Sequence, residues 1–242
     1  MGTAIEVRNL CIDYRPLKSL PTLKKIFHET MERDKVVHAV RDVSFDVSGG
    51  EILGIIGKNG SGKSTMLRAM AGIFQPDTGY IDLKGNSISL MSIGVGFNEE
   101  ATGRKNIILS GMLLGFSEEE MLKKTPEIIE FAEIGDFIDM PVRTYSSGMH
   151  SKLAFAITAN LDTDIMLVDE VLSVGDERFK KKSLAKMKAL ITDEDRTVIM
   201  VSHDMNTMKE LCNRVLWLND GELKEIGKPE EVIKNYREYM NR

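Results

Sequence analysis

Apolar and polar positions alternate in the first stretch, "AIEVRNLCIDY" (residues 4–14), and predict a strand. Two more strands are predicted across residues 36–56, "VVHAVRDVSFDV" and "EILGII", joined at Ser48-Gly49-Gly50. After Gly62 the period lengthens. Leu67, Met70, Ala71 and Phe74 recur at helical spacing in "KSTMLRAMAGIF", with Pro76 and Gly79 ending the helix. Ser117 with Glu120 forms a capping box for a helix near 118–134, which Pro126 is expected to bend or interrupt. Two short apolar runs, in "DIMLVDE" (164–170) and "RTVIMVSH" (196–203), suit buried parallel strands. "RVLWLNDGELKEIG" predicts a hairpin turning at Asp220-Gly221, and Pro229 opens a last helix, "PEEVIKNYREYM". The sum is an α/β fold: parallel strands alternating with helices, behind an antiparallel flank.

Composition narrows the class. The chain has 242 residues, 42% hydrophobic and 29% charged, enough for a real core in one large domain, or in one domain with a small appendage. A net charge of −5 without a long basic run argues against duplex nucleic acid as a partner. Cys11 and Cys212 have no metal-like spacing and read as reduced thiols. No apolar run approaches the ~20 residues that span a bilayer, and "MGTAIEVRNL" lacks a signal-peptide core, so any membrane part is expected on another chain.

"GKNGSGKS" (57–64) is the strongest chemical signal. It follows an apolar strand and opens a helix, the context that separates a phosphate loop from an ordinary Gly-rich turn. Gly57, Gly60 and Gly62 allow close wrapping, with Lys58, Asn59 and Ser61 between them. Lys63 can reach β- and γ-phosphates, and Ser64 can offer its hydroxyl to Mg²⁺. Asp169-Glu170 ends an apolar strand. Asp169 suits a metal-supporting carboxylate; Glu170 beside it suits polarising an attacking water, where the plain alternative is an acidic surface pair. His203 ends the next predicted strand and is either structural or placed over the γ-phosphate. "YSSGMHSK" (145–152) offers Ser146, Ser147 and bare N–H groups ahead of a helix, a second place for an anion.

Gly57–Thr65, Tyr145–Met149, Asp169-Glu170, "SVGD" (173–176) and His203, in that order and spacing, resemble an ATP-binding-cassette (ABC) ATPase over essentially the whole chain. "YSSGM" is similar to that family's signature, usually LSGGQ. The resemblance implies a P-loop NTPase domain of ABC type over 1–242. Its N-terminal β region is 4–56, with an insertion at 15–35, and a helical subdomain over about 98–160 ends in the signature helix. It implies ATP and Mg²⁺ as ligands, Lys63, Glu170 and His203 as catalytic residues, and Ser64 and Asp169 at the metal. By the same resemblance Tyr14 is expected to stack on adenine and residues 57–65, through Thr65, to hold the phosphates. The resemblance further implies that two copies pack head to tail, with Ser146, Ser147, Gly148 and Met149 expected to touch the partner's ATP and Asp176 expected to pass between the two sites.

Two departures matter. The family's sensing glutamine is missing: Gln75, the one glutamine, lies too near the phosphate loop, and Ile93 stands near the expected position, leaving backbone groups or Asn98 as substitutes. The insertion 15–35 repeats Leu17, Leu20, Leu23 and Ile26 every three residues, continued by Phe27, interrupted at Pro21 and flanked by Arg15, Lys18, Lys24 and Lys25. It reads either as an element packed on its own domain or as an amphipathic element at a membrane surface. With "GVGFNEEATGRKNI", "YSSGMHSKLAFAI" and "DEVLSVGD", the chain resembles the branch exporting lipid-linked O-antigen, capsular polysaccharide or wall teichoic acid. That implies a permease dimer on a separate chain, a glycopolymer substrate, no nucleic acid and a place on the cytoplasmic face of the membrane. Some relatives carry a C-terminal carbohydrate-binding domain; a chain stopping at Arg242 is expected to lack one or to be truncated. The alternatives are an ABC ATPase for another transported substrate, or a soluble one acting on nucleic acid or ribosomes.

Overall fold

The computed structural model describes residues 2–14, 36–91, 97–169, 176–193 and 195–241. The insertion 15–35, Ile93, Glu170 and most of "SVGD" lie outside the described residues.

Two sheets enclose one short helix. β1 (Thr3–Tyr14) pairs antiparallel with β2 (Val37–Ser48) and with β4 (Thr78–Asp82). The second sheet runs in the order β5 (Ile88–Met91), β6 (Ile165–Asp169), β7 (Thr197–Val201), β3 (Ile52–Ile56), β8 (Arg214–Asn219), β9 (Glu222–Gly227). It is parallel until β9 turns back on β8. The period of two divides these strands between two cores. Leu53, Ile55, Leu167, Ile199 and Leu216 pack with Met66 and Leu67 of α1 (Lys63–Met70) and with Ile5, Val7 and Val43 of the small sheet. Met166, Val168, Val198, Met200 and Val215 pack on the other side. Their partners include Phe179 of α5 (Glu177–Ile191), Met208 of α6 (Met205–Leu211) and Val232 of α7 (Pro229–Met240). A third cluster, with Ile107, Met121, Ile128 and Leu153, joins α2 (Gly103–Leu113), α3 (Glu118–Ala132) and α4 (Ser147–Ala159).

Three expectations change in detail. α1 stops at Met70, not near Phe74, because Gly72 takes φ +71°. Gly72 N–H donates to Ala69 O and Ile73 N–H to Arg68 O, which closes the helix end. Pro126 does not interrupt α3; it lies on the exposed face, and its missing N–H affects a turn open to water. The capping box does form: Ser117 N–H donates to Glu120 Oε2 at 2.7 Å, and Glu120 N–H to Ser117 Oγ at 3.3 Å. β7 ends at Val201, so His203 sits in the loop before α6 rather than at the strand end, where Asp204 caps the helix.

Candidate nucleotide-binding site

Register assembles the site. Ile55 pairs with Val201, and Val201 with Asp169, across three neighbouring strands. The loop after β3, the loop carrying His203 and the end of β6 therefore share the carboxyl edge of the sheet, where open α/β sheets bind ligands.

The loop 57–62 runs from β3 into α1 and is braced from behind. Gly57 (φ +153°) and Gly62 (φ +101°) are needed there: a Cβ on Gly57 would run into the Leu218 carbonyl oxygen, and one on Gly62 into that of Ala39. The β8–β9 turn supplies further support. Gly221 N–H donates to Ser61 O at 3.1 Å, Arg41 N–H donates to Gly221 O at 2.7 Å, and Lys58 Nζ pairs with Asp220 Oδ1 at 2.8 Å. That lysine holds the Asp220 carboxyl below its ordinary range, and the carboxylate raises Lys58 in turn. Asn59 and Gly60 form the exposed tip. Lys63 is buried, its ammonium donating to the carbonyls of Gly57 (2.8 Å) and Lys58 (2.9 Å).

Ser64 Oγ donates to Asp169 Oδ1 at 3.2 Å. A hydroxyl and a carboxylate side by side are hard oxygen donors suited to Mg²⁺, which takes one or two carboxylates and completes its shell with phosphates and water. Among the described residues, no group of three or more His, Cys, Asp or Glu gathers into a metal cluster. Tyr14, at the end of β1, brings its hydroxyl to 3.3 Å from Thr65 Oγ1 and its ring edge-on to Phe74. It remains 45% exposed, leaving ring surface for a planar base. His203 is exposed in its loop.

The second candidate anion site is the N-terminus of α4. Ser146 Oγ accepts from Met149 N–H at 3.2 Å as the cap, and Tyr145 OH donates to Phe137 O at 2.7 Å, anchoring the entry. Ser146 and Ser147 are exposed, and a Cβ on Gly148 would meet only Ser146 Oγ, at 3.9 Å. No hydrogen bond or ion pair joins Ser146–Met149 to residues 57–65 among the described residues. Asp176 caps α5, accepting from Phe179 N–H at 2.9 Å, and pairs with Lys152 Nζ at 2.6 Å. That ammonium brings the Asp176 carboxyl down to about 2. Asn98 Oδ1 accepts from Glu100 N–H at 3.0 Å, so its carboxamide serves its own turn.

Sequence reasoning missed the loop's supports. Asp220-Gly221 was legible as a turn, but nothing local marks it as the back wall of a loop in another part of the chain. Lys152 and an apolar hollow of about 270 Å³ were also missed; Ile73, Leu90, Phe97, Ser110, Leu113 and Ile157 are among the residues lining the hollow. Met112 and Leu113 of α2 are exposed near it. No helix among the described residues is long and apolar enough to cross a membrane.

Residues 40–173 match the ABC transporter family model. The chain is 41% identical over 230 residues to an O-antigen export system ATP-binding protein, RfbB, of Myxococcus xanthus, covering 95% of this chain and 52% of the relative. It is 43% identical over 217 residues to the teichoic acids export ATP-binding protein TagH of Lactococcus lactis, covering 90% of this chain and 46% of the relative. It thus spans about half the length of these curated relatives. Among solved structures, the fold matches a dimeric post-hydrolysis state of the ATP-binding cassette MJ0796 bound to ADP and Pi. The TM-score is 0.69 at 22% identity, covering 93% of this chain and 98% of that one.

Proposed function

Since this chain belongs to the ABC transporter family, we propose that it is the ATP-hydrolysing subunit of an exporter for a lipid-linked cell-surface polysaccharide or teichoic acid. The Ser64–Asp169 hydrogen bond carries the nucleotide reading, because it ties the phosphate loop to a carboxylate on a different strand. The names of the relatives support the polymer class. In this reading the chain works as a homodimer at the cytoplasmic face of the membrane, beneath a permease dimer on a separate chain, with no nucleic-acid partner. The apolar hollow beside α2 is where a permease segment would seat.

The residues divide the work. Loop N–H groups and Lys63 bind phosphate oxygens, and Tyr14 receives the base. Ser64 and Asp169 would hold Mg²⁺, which neutralises phosphate charge. Glu170 takes a proton from the attacking water as the bond to the γ-phosphorus forms and the β–γ bridge breaks, and His203 orients the γ-phosphate. Ser146, Ser147, Gly148 and Met149 complete the partner's site.

The test is Glu170→Gln in the purified chain. Turnover should fall about 10²–10⁴-fold with ATP binding retained, the expected cost of losing a general base. Near-normal hydrolysis by the variant would remove Glu170 from its role. Lys63→Ala should instead weaken ATP binding, because it removes a cation from the phosphate cradle.

A further inference from the structure

Lys152 occupies the second turn of α4, and its side chain is only 15% exposed. Such a charge persists only with a strong partner. It has two, both from the start of α5: Asp176 Oδ2 at 2.6 Å and the Phe179 ring, 5.2 Å to its centroid. Asp176 is doubly used, since it also caps α5. Around this pair three rings cluster: Phe155 of α4 meets Phe179 of α5 edge-on at 6.1 Å, with Phe131 of α3 against both. On the far side Lys182 pairs with Glu133 at 2.7 Å, donates to Phe131 O at 3.0 Å and lies 4.4 Å from that ring's centroid. Ring contacts are tolerant of sliding; a short charged hydrogen bond is directional.

We propose that Lys152 is a positioning residue: its ion pair with Asp176 pins the first turns of α4 to the N-terminus of α5. The functional consequence rests on the ATPase reading above. β6 ends at Asp169, and Asp176, the cap of α5, follows seven positions on, so this pin ties the first turns of α4 to the cap of the helix that follows the Asp169 strand. The pin is expected to affect turnover after ATP has bound, not ATP binding itself, because neither residue touches the phosphate loop among the described contacts.

The test uses Lys152→Met, which keeps the apolar stem, and Asp176→Asn, which still caps α5. Each should lower kcat about 2- to 30-fold, the span of a 0.5–2 kcal/mol coupling, with KM for ATP little changed. The double variant should be no worse than either single variant, and Lys152→Arg should recover most of the loss. Wild-type kcat in the single variants, or losses that multiply in the double, overturns the proposal. The pin is also read without turnover, by NMR titration of the Asp176 carboxyl. This should titrate at about 2 in the wild type and move up toward its ordinary value in Lys152→Met. An unmoved titration overturns the pin whatever the ATPase assay shows, whereas a wild-type chain without turnover counts against the ATPase reading alone.

Discussion

The two helix N-termini proposed to meet phosphate are built differently. The loop before α1 is enclosed: the Leu218 and Ala39 carbonyls press on it, Gly221 and Asp220 bond to it from the hairpin turn, and the ammonium of the buried Lys63 reaches into it from the start of α1. The end of α4 has a serine cap and little else. Gly148 faces open space, and the nearby Lys152 is turned to Asp176. Both present N–H groups, but the loop before α1 also brings Lys63, a cation for phosphate. A helix end with donors, a lysine already paired elsewhere and an open approach suits the proposal that the nucleotide of a second copy completes it.

The sharpest break of this comparison is functional. Lys63→Ala and Gly148→Asp should each lower turnover by about 10²-fold or more, the scale of losing one electrostatic contact to the transition state. Only Lys63→Ala should weaken ATP binding to the isolated chain. Mixing the two inactive variants should restore part of the activity, because one site of a mixed dimer keeps both sound halves. Mixtures that stay inactive although mixed dimers form would argue against sharing sites between copies.

A second contrast is in stability. Gly57→Ala combines a strained φ with a backbone collision and should cost about 3 kcal/mol or more, which lowers Tm by roughly 6–12 °C for a chain of this size. Gly148→Ala should stay within about 0.5 kcal/mol. Equal melting temperatures would mean that the loop is not enclosed as described. Smaller again, Ser146→Ala removes the cap of α4 and should cost about 1 kcal/mol in urea unfolding; no change would show that the hydroxyl is not capping.

The smallest effect belongs to the exposed Lys58–Asp220 pair. The folded Asp220 carboxyl lies below its ordinary value of 3.8, so its contribution is present above that value and is lost as pH falls through the depressed folded value. The stability gap between wild type and Asp220→Asn should therefore be steady near neutrality and shrink in acid. A gap that grows on acidification would reverse the assignment.

Legibility followed locality. The phosphate loop, the capping box at Ser117–Glu120 and the Asp220-Gly221 turn are each specified within a few residues, by φ requirements and side-chain reach, and all three formed. β4 was invisible because most of its residues are exposed and carry no alternation, and β5 because four residues are too few for a period. The end of α1 was misplaced because Phe74 continues the apolar spacing beyond the glycine that stops the helix.

Taken alone, the sequence determined the α/β class, the glycine loop between β3 and α1 and the carboxylate at a strand end, since backbone dihedrals and local hydrogen bonds decide these. Tertiary structure decided which distant pieces meet. The Ile55–Val201–Asp169 register depends on both faces of the sheet being packed at once, so that slipping one residue would turn each strand's side chains to the wrong core. The Lys152–Asp176 pin and the wall formed by Leu218 and Ala39 likewise depend on packing between elements far apart in the chain, which no local pattern encodes.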